Sequence, residues 1–294
     1  MKLVSFFLAT MNRVIDLEET IQKIYEQDYK KFEIVIVDNG SNDGTSEMIK
    51  KYDKVKYTYL KENIGAIPAR NIAMKKCNGE ILVSLDDDSF PGKNSITKLM
   101  QIFEKKSIGL VSFKILDYSQ YIDKYYELSN YKSDEIINNY FWSGCGGAFR
   151  SDILKKLGYW EEWGRESPFE LSTSAKMIFS NLRCVSNDQV YVFHKWSQSG
   201  EPAKFRISDS AFSDGTKSYI KYLFKFCPIS FFLLNELLYL LYLSIYDLVS
   251  RRRKLIILAF FSAILELNSI FSKRLPIDLK EFKKILPAKN ILGK

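Results

Sequence analysis

Four short runs of apolar and β-branched residues in the first hundred positions each end in a cluster of polar side chains. The runs are Leu3 to Leu8, Glu33 to Val37, Val55 to Leu60 and Ile81 to Leu85, and Leu110 to Phe113 reads as a fifth. Helical patterns fill the gaps, from Asp16 to Tyr25, Thr45 to Tyr52, Ala66 to Lys76 and Ser95 to Lys105. Strands alternating with helices predict an α/β domain whose mostly parallel sheet is covered by helices. Asp16 followed by Glu19 reads as a capping box, with Leu17, Ile21, Ile24 and Tyr25 at helical spacing behind it.

In such a sheet, ligands gather outside the carboxyl ends of the strands, where loops converge and helix N-termini point. Thr10, Asn12 and Arg13 follow the first run, Asp38 to Thr45 the second, Asn63 to Asn71 the third, and Asp86, Asp87 and Asp88 the fourth. One crevice would collect all four clusters. Three successive carboxylates repel one another, and a divalent cation offsets that repulsion. Hard oxygen ligands suit Mg2+ or Mn2+ bridging a nucleotide diphosphate. The bland alternative is a solvated turn, because aspartate favours turns and caps.

The ordered set SFFLATMNR, FEIVIVDNGSNDGT, NIGAIPARNIAM and GEILVSLDDDSFP resembles glycosyltransferase family 2, with LDDDSFP similar to its D-x-D element. The likeness covers about the first two hundred residues. It implies a GT-A fold, a Rossmann-like mixed, mostly parallel sheet flanked by helices. It also implies that Thr10 and Asp38 hold the base and ribose and that Arg70 lies on the nucleotide side. Asp86 would face the ribose or sugar, Asp87 would belong to the same nucleotide-sugar group without a secure task, and Asp88 would bind the metal. Arg13 would approach the phosphates. Asn39 stands where the family commonly has a second aspartate.

Members of this family invert the anomeric centre in one displacement, which needs a carboxylate to take the acceptor's proton. The family's landmarks correspond to Gly146 to Arg150 and Gly158 to Glu161, and the acidic segment after them is WGRESPFELS. Its candidates are Glu170, favoured as base because it precedes the leucine, and Glu166, as base or acceptor ligand. Ser167 and Pro168 break the family's usual Glu-Asp pair, and either acid also suits a helix N-terminus. His194 ends the run VYVFH and is the only histidine. Two readings of it stand, a satisfied strand-end imidazole or a group facing the metal or diphosphate.

Residues 114 to 140 are tyrosine-rich and aperiodic, and read as a lid or acceptor-side region. Order returns with a glycine-rich stretch at Ser143 to Gly147, helices at Ser151 to Leu157 and Phe169 to Phe179, and a strand at Val190 to Phe193. The expected division is a catalytic domain over 1–214, with nucleotide-sugar and acceptor halves meeting near 113, and a helical extension over 215–294. That extension holds 14 of the 43 Lys and Arg but only 5 of the 35 Asp and Glu, so the body is close to neutral. A basic, apolar tail on a neutral body argues against a nucleic-acid protein and toward an anionic membrane surface. Helices at Tyr219 to Val249 and Leu255 to Phe271, with Lys217, Lys221, Lys225 and Arg251 to Lys254 reaching lipid headgroups, fit an interfacial element. A membrane-spanning helix, which Asn235, Glu236 and Asp247 would interrupt, packing on the catalytic domain and a homo-oligomer interface are its alternatives.

The four cysteines are scattered without metal or disulfide spacing, and Met1 to Ala9 reads as a first strand rather than a leader. A cytoplasmic protein, peripheral on the inner membrane face, is the resulting expectation. The expected activity is transfer of a sugar from a nucleoside-diphosphate-sugar to a glycan or lipid-linked acceptor in bacterial cell-surface polysaccharide synthesis. The competing class is a non-catalytic relative that binds nucleotide or glycan or scaffolds a membrane assembly. A nicotinamide enzyme is disfavoured, because no G-x-G-x-x-G follows the first run.

Overall fold

The computed structural model describes residues 1–121, 135–164, 167–196, 209–229 and 253–285. It divides into two compact units, Met1–Tyr159 with Ser180–Gly200, and Trp160–Phe179 with Glu201–Lys294.

The first unit begins as β1 (Val4–Thr10), α1 (Val14–Tyr25), β2 (Phe32–Asp38), α2 (Thr45–Ile49), β3 (Val55–Tyr59), α3 (Ala66–Lys76) and β4 (Ile81–Ser84). It continues through β5 (Ser89–Pro91), α4 (Ser95–Ile102), β6 (Ile108–Asp117), α5 (Tyr118–Tyr121), β7 (Ile137–Asn138), β8 (Gly147–Arg150), α6 (Ser151–Leu157) and β9 (Arg183–His194). The strands form one mixed sheet in the order β3-β2-β1-β4-β8-β6-β9-β5, with β7 also on β9. From β3 to β4 every pairing is parallel. β8 then runs antiparallel to both β4 and β6, and β6 is again parallel to β9.

Nearly every residue of β1 and β2 is buried, as a sheet covered on both faces requires. On one face Leu17, Ile21 and Ile24 of α1 and Ile96, Leu99 and Ile102 of α4 join Phe6, Leu8, Ile34 and Ile36 in the main core. Each such side chain contributes about 2 kcal/mol through its removal from water. Gly146 and Gly147 allow close packing, since a Cβ on Gly147 would lie 2.3 Å from the Trp142 ring and one on Gly146 2.7 Å from Val192. Arg150 pins the end of α4 and the start of β6 by donating to the carbonyls of Ile108 and Phe103 at 2.7 and 3.0 Å.

Several elements differ from the sequence pattern for identifiable reasons. Asp16 does not cap α1, which already starts at Val14. Its cap comes from a distant loop, where the Val14 N–H donates to the Asp43 carboxylate at 2.8 Å. Asp43's other oxygen accepts from the Thr45 hydroxyl and N–H at the start of α2, so one carboxylate serves two helix starts. α2 stops at Ile49 rather than Tyr52, because the chain tightens into turns with Lys51 bonding back to Met48 and Tyr52 to Ile49. β9 extends seven residues before Val190 and pairs with β6 across two register shifts. The aperiodic region opens as the continuation of β6 to Asp117 and as α5, and 122–134 lie outside the described residues.

The second unit holds α7 (Phe169–Phe179), α8 (Asp209–Phe226), α9 (Arg253–Phe271) and α10 (Leu279–Phe282). α8 starts ten residues before Tyr219 and ends at Phe226, just ahead of Pro228, which cannot continue a helix. The rest of the expected helix, 230–249, lies outside the described residues. The lysines expected at headgroups are otherwise engaged: Lys217 and Lys221 pair with Glu266 of α9, and Lys225 with Glu161. Their helical spacing reads as a solvated stripe locally, and only acids brought from elsewhere in the chain show that it faces inward. No helix among the described residues is long and apolar enough to cross a membrane.

Candidate functional site

The loop after β4 sends its three carboxylates in three directions. The Asp86 N–H donates to Ser89 Oγ at 2.7 Å and the Ser89 N–H returns to the Asp86 carbonyl at 3.2 Å, closing a tight turn. Ser89 is also the residue opposite His194 in the β5-β9 pairing, which brings the imidazole to the turn. His194 Nε2 lies 3.1 Å from Asp88 Oδ1 and 3.6 Å from Asp86 Oδ2. Asp86, with 30% of its side chain exposed, is ion-paired to Arg70 from α3. Asp87 turns inward, accepting from the Thr10 hydroxyl at 2.8 Å and pairing with Arg13 at 2.9 Å.

Arg13 stands at the start of α1 and spans two acids, with its other terminal nitrogen 2.8 Å from Asp88. A second tier of charge holds that helix end. Lys195 Nζ sits 2.6 Å from Asp16 and 2.8 Å from Glu19, while the Lys195 N–H donates to the Asp88 carbonyl. Asp16 and Glu19, whose spacing suggested a cap, therefore tie the end of β9 to α1.

The environment separates the acids electrostatically. Burial raises Asp88, but hydrogen bonding and charge from His194 and Arg13 outweigh it and hold the carboxyl well below the usual range. Burial dominates for Asp87, and with the neighbouring acids it overcomes Arg13 and Thr10, pushing the group up to about 7. Burial lowers His194, yet Asp88 and Asp86 raise it above its ordinary value. Arg13 also loses by burial and is raised overall by Asp87 and Asp88.

The ends of β1, β2 and β3 are joined to this turn. Asp38, fully buried, accepts from the Ser41 N–H and the Tyr57 hydroxyl, each at 2.7 Å. Burial and the Asp38 charge push the Tyr57 phenol well above its ordinary value. The Asn39 N–H donates to the Thr10 carbonyl, and its side chain reaches Gly65 before α3. All four polar clusters thus meet at one edge of the sheet. Thr10 presents its hydroxyl to Asp87, and Arg70 its guanidinium to Asp86.

Ligand atoms of Asp86, Cys145 and His194 lie within 4.8 Å of one another. Cys145 entered through no motif beyond its place in the glycine-rich stretch. Burial pushes its thiol up to about 12, and soft sulfur is a poor match for a hard cation. Asp86, Asp88 and the imidazole then offer oxygen and nitrogen donors, a set that fits Mg2+ or Mn2+.

Of the base candidates, Glu166 lies outside the described residues, and Glu170 stands half-buried in the first turn of α7 in the second unit. That unit also contains an acid whose partners the sequence did not disclose. Glu161 is buried with Lys176 at 2.8 Å, Lys225 at 2.7 Å and the Ser172 hydroxyl at 2.5 Å. Burial raises it, but the two lysines prevail and hold it at about 2.

Comparison with known proteins gives a consistent assignment. The family model described as glycosyl transferase family 2 matches residues 5–168. TuaG of Bacillus subtilis, named as a candidate glycosyltransferase of teichuronic acid biosynthesis, is 31% identical over 109 residues, 36% of this chain and 43% of that protein. The UDP-Glc:alpha-D-GlcNAc-diphosphoundecaprenol beta-1,3-glucosyltransferase WfaP of Escherichia coli is 30% identical over 162 residues, 54% of this chain and 62% of that protein. The chain thus spans roughly half the length of these curated relatives. A solved mannosyltransferase, PcManGT from Pyrobaculum calidifontis in complex with GDP-Man and Mn2+, shares the fold with a TM-score of 0.58 at 20% identity, covering 89% of this chain and 75% of that one. With its strand-end acids, GT-A architecture and more than half of its residues matched by the family model, the chain belongs to glycosyl transferase family 2.

Proposed function

We propose that the protein is an inverting glycosyltransferase that moves a sugar from a nucleoside-diphosphate-sugar to a hydroxyl of a glycan or lipid-linked acceptor. The observation that carries this reading is the meeting of Asp86, Asp88 and His194 beside Asp38, Thr10 and Arg70 at the sheet's carboxyl edge. The names of the relatives support it: WfaP acts from UDP-Glc on a diphosphoundecaprenol acceptor, and PcManGT is solved with GDP-Man and Mn2+. Cell-surface polysaccharide synthesis at the cytoplasmic face of a membrane is the corresponding setting.

In the proposed reaction the acceptor oxygen attacks the anomeric carbon opposite the leaving group. The bond to the diphosphate breaks, the diphosphate keeps the electron pair, and a carboxylate takes the acceptor's proton. Asp88, Asp86 and His194 would hold Mg2+ or Mn2+, which supplies charge stabilisation for the departing diphosphate. Asp38 and Thr10 orient the nucleoside, Arg70 steadies Asp86, and Arg13 adds positive charge on the phosphate side. Asp87 holds Thr10 and Arg13 in place. Glu170 is the preferred base, with Glu166 as the other candidate.

Release of nucleoside diphosphate across a panel of nucleotide-sugars with Mn2+ tests the reading in the wild type and Asp88→Ala. The wild type should release it from at least one donor, and the variant about 10²- to 10³-fold more slowly. Equal rates, or no release by either across donors and acceptors, would sink it. Glu170→Gln and Glu166→Gln then assign the base, whose loss should cost about 10²-fold or more with donor binding retained.

A further inference from the structure

α9 has two unlike faces. Ala259, Ala263, Glu266 and Ile270 share one side, where Glu266 meets Lys217 and Lys221 of α8. The opposite side presents Leu258, Phe261 and Leu265, exposed at 64, 60 and 81%, flanked by Ile264 and Phe271. Spacings of three and four residues make this a continuous stripe along the helix. Glu266 is the only acid of α9, and its pairing with two lysines on the inner side leaves the outer stripe without a carboxylate.

Cations bracket the stripe. Arg253 and Lys254 open α9, and Lys273, Lys280 and Lys283 are exposed beyond its C-terminal end. Between 251 and 285 there are nine Lys or Arg against three Asp or Glu. An apolar stripe free of carboxylates and set between basic ends complements a bilayer with anionic headgroups, since the side chains enter the acyl boundary while the cations stay at the phosphates. A protein partner would need no such excess of positive charge at both ends.

We infer that the Leu258, Phe261 and Leu265 face of α9 docks on an anionic lipid bilayer. The inference rests on the membrane setting of the proposed reaction and names the surface that makes the contact. The chemistry and the docking can fail separately, because donor cleavage is read without lipid and docking without donor.

Co-sedimentation of the full chain with phosphatidylcholine vesicles, with and without phosphatidylglycerol, tests it. The wild type should partition onto the anionic vesicles and be released by high salt. Phe261→Glu with Leu265→Glu should lower the partition coefficient about tenfold or more. Lys280→Glu with Lys283→Glu should weaken binding only where phosphatidylglycerol is present. Circular dichroism checks the fold, and Leu265→Gln, altering one exposed side chain, should still weaken binding if the double variant does not fold. Wild type that ignores anionic vesicles, folded α9 variants that bind like wild type, or a dimer that these variants dissociate would each overturn the assignment.

Discussion

Asp88 and Glu161 are both carboxylates withdrawn from water beside cations, and they differ in what remains open around them. Glu161 is closed off, with two lysines and a serine hydroxyl on its two oxygens and Lys176 fully buried. Asp88 shares its imidazole with Asp86, which is partly exposed and can admit another ligand. Low proton affinity is therefore common to a closed ion cluster and to the proposed metal ligand. Access and shared partners distinguish them.

The largest effect should come from breaking the closed cluster. Glu161→Ala leaves two buried lysines without their acid and should destabilise the protein by about 3–5 kcal/mol, read as a lower midpoint in urea. Glu161→Gln combined with Lys176→Met should recover much of that loss. The pH dependence follows in sign. Glu161 falls from an ordinary 4.5 to about 2 on folding, so its contribution is complete above pH 4.5 and disappears as pH falls through about 2. In an acid titration followed by far-ultraviolet circular dichroism, Lys176→Met should unfold at higher pH than the wild type. A Glu161→Ala protein as stable as wild type would erase the distinction.

Asp88→Ala should show a different signature, nucleoside diphosphate release lowered about 10²- to 10³-fold with a smaller loss of stability than Glu161→Ala, because Arg13 keeps Asp16 and Asp87 and His194 keeps Asp86. Asp87→Asn sharpens the comparison, because Asp87 touches Thr10 and Arg13 rather than the open side of the turn. It should reduce kcat/KM about 10- to 100-fold, as loss of an outer partner does, without abolishing metal dependence. Tyr57→Phe should have the smallest effect. Loss of its bond to Asp38 costs about 1 kcal/mol, read as a few-fold rise in KM for the donor in steady-state kinetics.

The same contrast explains what the sequence disclosed. α3, α6 and α7 begin and end where the sequence places them, since end signals such as Gly65 before α3 and Gly158 after α6 are local. The strand ends at Thr10, Asp38 and Asp86 were legible for the same reason, as polar residues directly after apolar runs. Asp43 capping α1, Lys195 bridging Asp16 and Glu19, and Lys225 closing on Glu161 join residues 29 to 179 positions apart. A local window holds one partner of each pair and cannot show which way a charge turns. His194 was named from a strand end, but its contact with Asp88 depends on the pairing of β5 with β9, a three-residue strand with little pattern of its own.

The most direct test of the site is an anomalous difference map from crystals soaked with Mn2+ and a nucleoside diphosphate. The account predicts a manganese peak within coordination distance of the Asp88 carboxylate, with Asp86 and His194 beside it and the nucleoside against Asp38. Bound nucleotide with manganese elsewhere, or with Asp88 still held by Arg13 and no metal at the turn, would contradict it.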